Sequence, residues 1–405
     1  MQKNLWQIFW FIFTACFSGF ALLLGAIINA PVIVPALVAI IFGAGSYYYF
    51  NKQLVTTALQ DKESPNSVWY YVLLIAGVAI ITNKSYYFSM QYGAWDAWTM
   101  WNYHALYLDH HNLKYIFQQT DLTQPGYPLL LPGIIAFFWQ TLHTQSMMVP
   151  FAIAFSVTLM IPLIIYLNLF KKNIIVAGAV LFLLATDENY LKLGFWEYAD
   201  LSLGMLFLSA IISAEYININ KTYVVFTAAF LGLCMWTKNE GIMLAFILII
   251  FNLRTLLGNG RWKSFIAGIS LPLITVLVYK YLAPATDIIR DQNHKTLSHF
   301  LDWHRYTFIW EFMWNTINEN FAYLKVGALV YAAICVAEKK LPGKNMLMLL
   351  CCLTGVFFVY VLTTRPLGWH METSMSRVLF QLMPAFTYVI ARQLCRLRFA
   401  LPEKN

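Results

Sequence analysis

The stretch Tyr127–His143 reads YPLLLPGIIAFFWQTLH. It is apolar enough to enter a bilayer, yet it is short, and Pro128 and Pro132 interrupt its start. Whether it crosses decides on which side of the membrane every later segment lies. Around it, apolar runs near the ~20 residues needed to span a bilayer predict helices at 5–28, 31–50, 68–83, 147–170, 173–187, 199–217, 222–236, 239–252, 264–283, 321–337, 346–364 and 379–393. The expected count is about twelve spans, or thirteen if 127–143 also crosses.

Charge decides between the two. With 127–143 not crossing and a cytoplasmic N-terminus, the inner side holds Lys3, Lys52, Lys62, Lys171, Lys172, Lys221, Arg254, Arg261, Lys263, Lys339, Lys340, Lys344, Arg392, Arg396, Arg398 and Lys404, which is 16 of the 27 basic residues. Of the 19 acidic residues, all but Asp61, Glu63, Glu215, Glu338 and Glu403 fall outside. A crossing at 127–143 would move Lys171, Lys172 and every later basic cluster to the outside, against the positive-inside tendency. The segment is therefore expected to lie on the outer side as a juxtamembrane or re-entrant helix, covered by protein.

Composition agrees with a membrane location. The chain is 60% hydrophobic and 17% aromatic, and only 11% of it is charged, against roughly 25% in a soluble domain. That excludes an ordinary soluble enzyme, and the net charge of +8 follows from the positive-inside bias without a nucleic-acid partner. The six cysteines lie in apolar runs or the basic tail, which argues against a disulfide framework or a zinc-thiolate site. The first apolar run, with no clear cleavage site after it, is expected to remain as a span. The predicted class is an all-α, polytopic integral membrane protein. Two N-terminal helices (1–67) precede a module at 68–252 with an outer loop at 84–126. A C-terminal part, 253–405, carries outer loops at 284–320 and 365–378. All eight histidines fall on the outer side in this topology, which either a site open to that face or simply longer, more polar outer loops would produce.

The first outer loop begins GAWDAWTMWNYH (93–104). Drawn as a helix over 95–111 at roughly 100° per residue, Trp95, Trp98 and Trp101 share one face with Ala105 and Leu108. Tyr103, His104, Tyr107, His110 and His111 lie within roughly 80° of Asp96 on the other. The expectation is an interfacial helix seated by its indoles that holds Asp96 toward a cavity. The competing expectation is an Asp that merely caps the helix.

In the order of these features the chain resembles the GT-C superfamily of polytopic glycosyltransferases, which includes protein O-mannosyltransferases and the transferases that place aminoarabinose on lipid A. The span 68–83, the loop acid Asp96 and the Pro-rich QPGYPLLLP (124–132) resemble the family's opening. ENYLKLGFWEYADLSLGMLFL (188–208) resembles its segment in which an outer acid, here Asp200, opens a span. GLCMWTKNEG (232–241) resembles a turn between two short spans, with Thr237, Lys238 and Glu240. RPLGWHMETSMSRVLFQLMP (365–384) resembles the last outer loop. The resemblance covers about residues 68–384. The chain is expected to depart from the family in its two extra N-terminal spans, in a single rather than double acid in the first loop, and in having no large C-terminal soluble domain.

What the resemblance implies is sugar transfer from a polyprenyl-phosphate donor to a hydroxyl on a glycan, lipid or protein, at the outer face of the cytoplasmic (inner) membrane. Asp96 would be the general base, and displacement would invert the anomeric centre. The departing phosphate needs cations, for which Lys238, Arg377, Arg365 and His370 are the candidates, with Arg305 less strongly placed. A cation at membrane depth such as Lys238 is functional or held in an ion pair with Glu240 or Asp200. Tyr103, His104, Tyr107, Asp200, Glu240 and Arg305 are candidates to line the cavity. The residues assign no cofactor. A divalent metal stays open through His110, His111 and a cluster of His294, His299, Asp302 and His304, although adjacent histidines on a helix diverge by roughly 100°. The aromatic residues of 284–320 either stack on sugar or form an interfacial belt. Three alternatives stay open beside transfer: a transporter or flippase of lipid-linked glycans, a glycan polymerase or ligase, and a non-enzymatic assembly subunit.

Overall fold

The computed structural model describes residues 3–58, 68–110, 124–283 and 295–396. Every regular element among them is helical. In chain order these are α1 (Lys3–Ile27), α2 (Ile33–Ala58), α3 (Val68–Phe88), a π-helical turn at Ala97–Trp101 running into α4 (Asn102–Asp109), α5 (Leu130–Thr141), α6 (Met148–Leu169), α7 (Ile174–Thr186) and α8 (Glu188–Phe195). There follow α9 (Ala199–Glu215), α10 (Thr222–Thr237), α11 (Glu240–Leu257), α12 (Trp262–Leu282), α13 (Lys295–Leu301), α14 (Trp303–Asn320), α15 (Ala322–Ala337), α16 (Lys344–Leu362) and α17 (Leu367–Leu394).

Seven of the described helices, α1, α2, α3, α6, α11, α12 and α16, are long and apolar enough to cross a membrane. Two broken pairs bring the number to nine: α7 with α8, bent by 61°, and α14 with α15, bent by 100°. The first break falls at Asp187, whose carboxylate accepts from the Tyr190 backbone N–H at 3.0 Å and so starts α8 anew. The remaining three expected spans, 199–217, 222–236 and 379–393, coincide with α9, α10 and the second half of α17. The first two are shorter than a typical span, and α17 carries a row of polar side chains. Large apolar residues such as Ile40, Ile41, Ile75, Ile274, Leu277 and Leu329 are exposed on the outside of the bundle, a surface suited to lipid rather than water. The chain is an all-helical, multi-pass membrane protein.

The segment 127–143 forms the short helix α5, and both of its ends meet the same side of the bundle. Before it, the Pro125 and Gly126 carbonyls accept from Tyr279 and Lys280 near the end of α12. At its far end, the Gln140 amide donates to the Asp109 carbonyl at 2.8 Å. Almost every residue of α5 is buried, and Gly133 lies against the backbone of Gly19 on α1.

Helix α17 organises the bundle. His370, Ser374, Arg377, Gln381, Tyr388 and Arg392 recur at spacings that put them on one face. Each has a polar partner on another element. Midway, α17 comes close to α9 because residue 204 is glycine: a Cβ there would stand 3.1 Å from the Gln381 carbonyl oxygen and 3.2 Å from the Pro384 ring. Asp200 lies one turn before Gly204, so the same approach brings α17 within reach of that carboxylate.

Candidate functional site

Four separate parts of the chain meet near the middle of α17. The Asp96 carboxylate, at the start of the π-turn, is ion-paired with the Arg377 guanidinium. The Arg377 guanidinium also stacks over the Tyr198 ring, 4.9 Å from its centroid. One turn further along α17, the Gln381 amide donates to Asp200 Oδ1 at 2.7 Å. The Lys238 ammonium donates to the same oxygen at 2.8 Å, stands 3.6 Å from Glu240 and lies over the Tyr127 ring. The two ion pairs thus sit a turn apart on one helix face. Lys238 and Asp200 are nearly closed off, with side chains 7% and 2% exposed, whereas Arg377 and Asp96 retain 22% and 19%. The Asp96–Arg377 pair, together with Glu240, is the part of the cluster open to an incoming group.

Local sequence explains each placement. Lys238 is the extended residue that ends α10, just before α11 begins at Glu240, so the turn throws its side chain back over the helix ends. Asp200 lies in the first turn of α9, where the amide dipoles favour a carboxylate. Tyr127 is carried in by the Pro-rich approach to α5, and burial, with Glu240 next, raises its hydroxyl pKa.

The face expected for the tryptophans does not form. Trp95 and Trp98 are exposed and pack edge to face with 4.9 Å between ring centroids. Trp101 is buried against Tyr127. The π-turn at 97–101 takes more residues per turn than an α-helix, so the 100° spacing fails just after Asp96. The expected Tyr103, His104 and Tyr107 face divides in consequence. His104 is fully buried, while Tyr103 is exposed and its hydroxyl meets that of Tyr107 at 3.0 Å. Asp96 is also neither a simple cap nor a lone carboxylate: it makes no side-chain cap bond and is held by Arg377.

Other candidates are engaged structurally. Arg305 donates at 3.1 Å to the carbonyls of Tyr360 and Thr363, satisfying the last turn of α16 as basic residues at helix C-termini do. His370 is buried, and its Nδ1 meets the Thr363 hydroxyl at 2.9 Å. Arg365 reaches Gln124 at 3.4 Å, joining the start of α17 to the stretch before α5. His110 lies 3.5 Å from the Gln145 amide, and His304 is exposed at the start of α14. Among the described residues no three of His, Cys, Asp and Glu are close enough to hold a metal ion. His111 and His294 lie outside the described residues.

Glu197 is a polar group that the sequence reading passed over. It sits between α8 and α9 with φ +64°, a sparsely populated backbone region for a residue with a Cβ. It is buried, and its Oε2 accepts from the Asn102 amide at 3.2 Å. Among the described residues its Oε1 and the Asn102 Oδ1 have no partner. Both residues line a cavity of about 10 Å³ with Thr158 and Ser202, room for about one water. Burial pushes the Glu197 carboxyl up to about 7, and the Asn102 bond opposes that rise. The Ala94 N–H donates to the Trp196 carbonyl at 3.0 Å, so this buried acid is tied to the backbone that leads into Asp96. A signal was present in FWEYAD (195–200): an acid in an otherwise apolar context, three residues before Asp200. Gln381 had a signal too, as an amide four residues after Arg377 within an apolar run.

Compared with family models, with curated proteins and with solved structures, the chain matches none.

Proposed function

We propose that the chain is a membrane glycosyltransferase of GT-C type, with twelve spans counting α9, α10 and the second half of α17. It would move a sugar from a polyprenyl-phosphate donor to a hydroxyl acceptor at the outer face of the cytoplasmic membrane. The observation that carries this reading is the half-open Asp96–Arg377 pair above the closed Asp200–Lys238 pair on one face of α17. An acid able to take a proton and a guanidinium able to hold phosphate bidentately are what this transfer needs, side by side. In the resting pair each occupies the other. A donor phosphate competes for Arg377 and frees Asp96. The acceptor hydroxyl then gives its proton to Asp96 as its oxygen bonds to the anomeric carbon. The bond from that carbon to the phosphate oxygen breaks, and the electron pair leaves on polyprenyl phosphate. Lys238, held by Asp200 and Glu240, adds positive charge beneath the phosphate without moving.

Replacing Asp96 by Asn tests this. Membranes carrying Asp96→Asn should transfer labelled sugar from polyprenyl-phosphate donors about 10²–10⁴-fold more slowly, with expression and donor binding retained. Wild-type rates in the variant would overturn the base role.

The burial of Asp200 and Lys238 inside the bundle favours a second reading, a transporter or flippase of lipid-linked glycans, since buried charge at membrane depth marks transport paths as well. In proteoliposomes the two separate: movement of a lipid-linked glycan between leaflets without transfer supports transport.

A further inference from the structure

The end of the bundle opposite Asp96 carries a second polar cluster. There the ends of α9, α11 and α17 meet the start of α16, around a cavity of about 320 Å³. Lys344, Arg392 and Arg396 line it together with Glu215, Asn345 and Asn252. Glu215 is fully used. It pairs with Arg392, accepts from the Asn345 amide at 2.7 Å and accepts from the Tyr388 hydroxyl at 2.6 Å. The other two cations have only amide oxygens: Lys344 donates to Asn252 Oδ1 at 2.7 Å and Arg396 to Gln393 Oε1 at 3.2 Å. Among the described residues neither has a carboxylate partner. Lys172 stands in the same crowd, donating to Asn168 at 3.5 Å. Burial, then the charges of Arg392 and Arg396, lower it to about 8. Three cations around one saturated carboxylate leave the cavity with an unmet demand for negative charge.

We propose that this cavity is an anion site for a phosphate group, supplied either by an anionic lipid headgroup or by free phosphate. Arg396 and Lys344 are exposed at its mouth, so the group enters from the membrane–water boundary. Arg392 stays on Glu215 as the fixed wall, and Asn345 offers a neutral donor beside it. The proposal stands apart from the chemistry at Asp96, because no residue of that cluster lines this cavity.

The test uses the full chain in phosphatidylcholine nanodiscs, titrated separately with phosphatidylglycerol and with inorganic phosphate. Binding is read by native mass spectrometry and by thermal shift. Retention of one phosphatidylglycerol per chain, or a saturable shift with phosphate, supports the site and names its source. The double variant Lys344→Gln, Arg396→Gln should bind about 25-fold more weakly, on the basis of about fivefold for each cation lost at a membrane surface. Arg254→Gln, which removes an exposed cation on α11 outside the cavity, should bind as wild type. Neither ligand binding, or the double variant binding as tightly as Arg254→Gln, overturns the proposal.

Discussion

Glu197 shows how a single residue records its surroundings. A glutamate ionises near ~4.3 in water, and burial brings this one to about 7. The folded state therefore binds its proton more tightly than the unfolded state does. Its contribution to stability is complete below about pH 4 and is lost as pH rises through about 7. Glu197→Gln keeps the shape and the acceptor for Asn102 but cannot ionise. Thermal unfolding should show the variant gaining on wild type as pH rises from about 5 to about 8. A constant difference across that range would mean that Glu197 does not titrate there. Asp96 was legible from its place in a tryptophan-rich loop, but its partner was not. Arg377 lies 281 positions away, and no local pattern reports a contact over that separation.

At the scale of elements, α5 is the piece whose placement matters most, because it fixes the stretch that carries Tyr127 against Lys238. Its seat is a crossing of two glycines. A Cβ on Gly19 would stand 3.2 Å from the Ile134 backbone nitrogen, and one on Gly133 would stand 3.2 Å from the Gly19 carbonyl oxygen. Gly19→Val should push α1 and α5 apart and lower stability by about 1–3 kcal/mol, the usual cost of overpacking. The measurement is thermal unfolding in detergent, and an unchanged midpoint would show that the crossing yields easily. The apolar run 127–143 marks this helix in the sequence, and its 12 residues are fewer than a typical span needs. The helix at Asp96 was read less well. Periodicity assumes a constant turn, and the π-turn at 97–101 changes the rotation within five residues, so the tryptophans scatter.

At the scale of the whole molecule, α17 joins two polar clusters at opposite ends of the bundle. The first contains Asp96, Arg377, Asp200 and Lys238. The second contains Glu215, Arg392, Lys344 and Arg396. The positive-inside tendency assigns the second to the cytoplasm. Cysteines placed at Gln91 and at Lys340 in a cysteine-free background test this with a membrane-impermeant maleimide. Position 91 should label in intact cells, and position 340 only after permeabilisation. The reverse pattern would invert the topology, and labelling of both from one side would deny that the clusters face opposite ways.

The sequence by itself determined the membrane class, most of the helices and most members of the Asp96 cluster. These follow from hydropathy, charge bias and the cost of charge in lipid, all of which act locally along the chain. Only the tertiary structure decided the pairings: Asp96 with Arg377, Asp200 with Lys238 and Gln381, and Glu215 with Arg392. It also turned Arg305 and His370 from candidate ligands into supports for the end of α16. A buried charge or amide must find a partner, but which one depends on where helices come close. Here that is set by small residues such as Gly204 and Gly19, whose importance lies in the missing side chain.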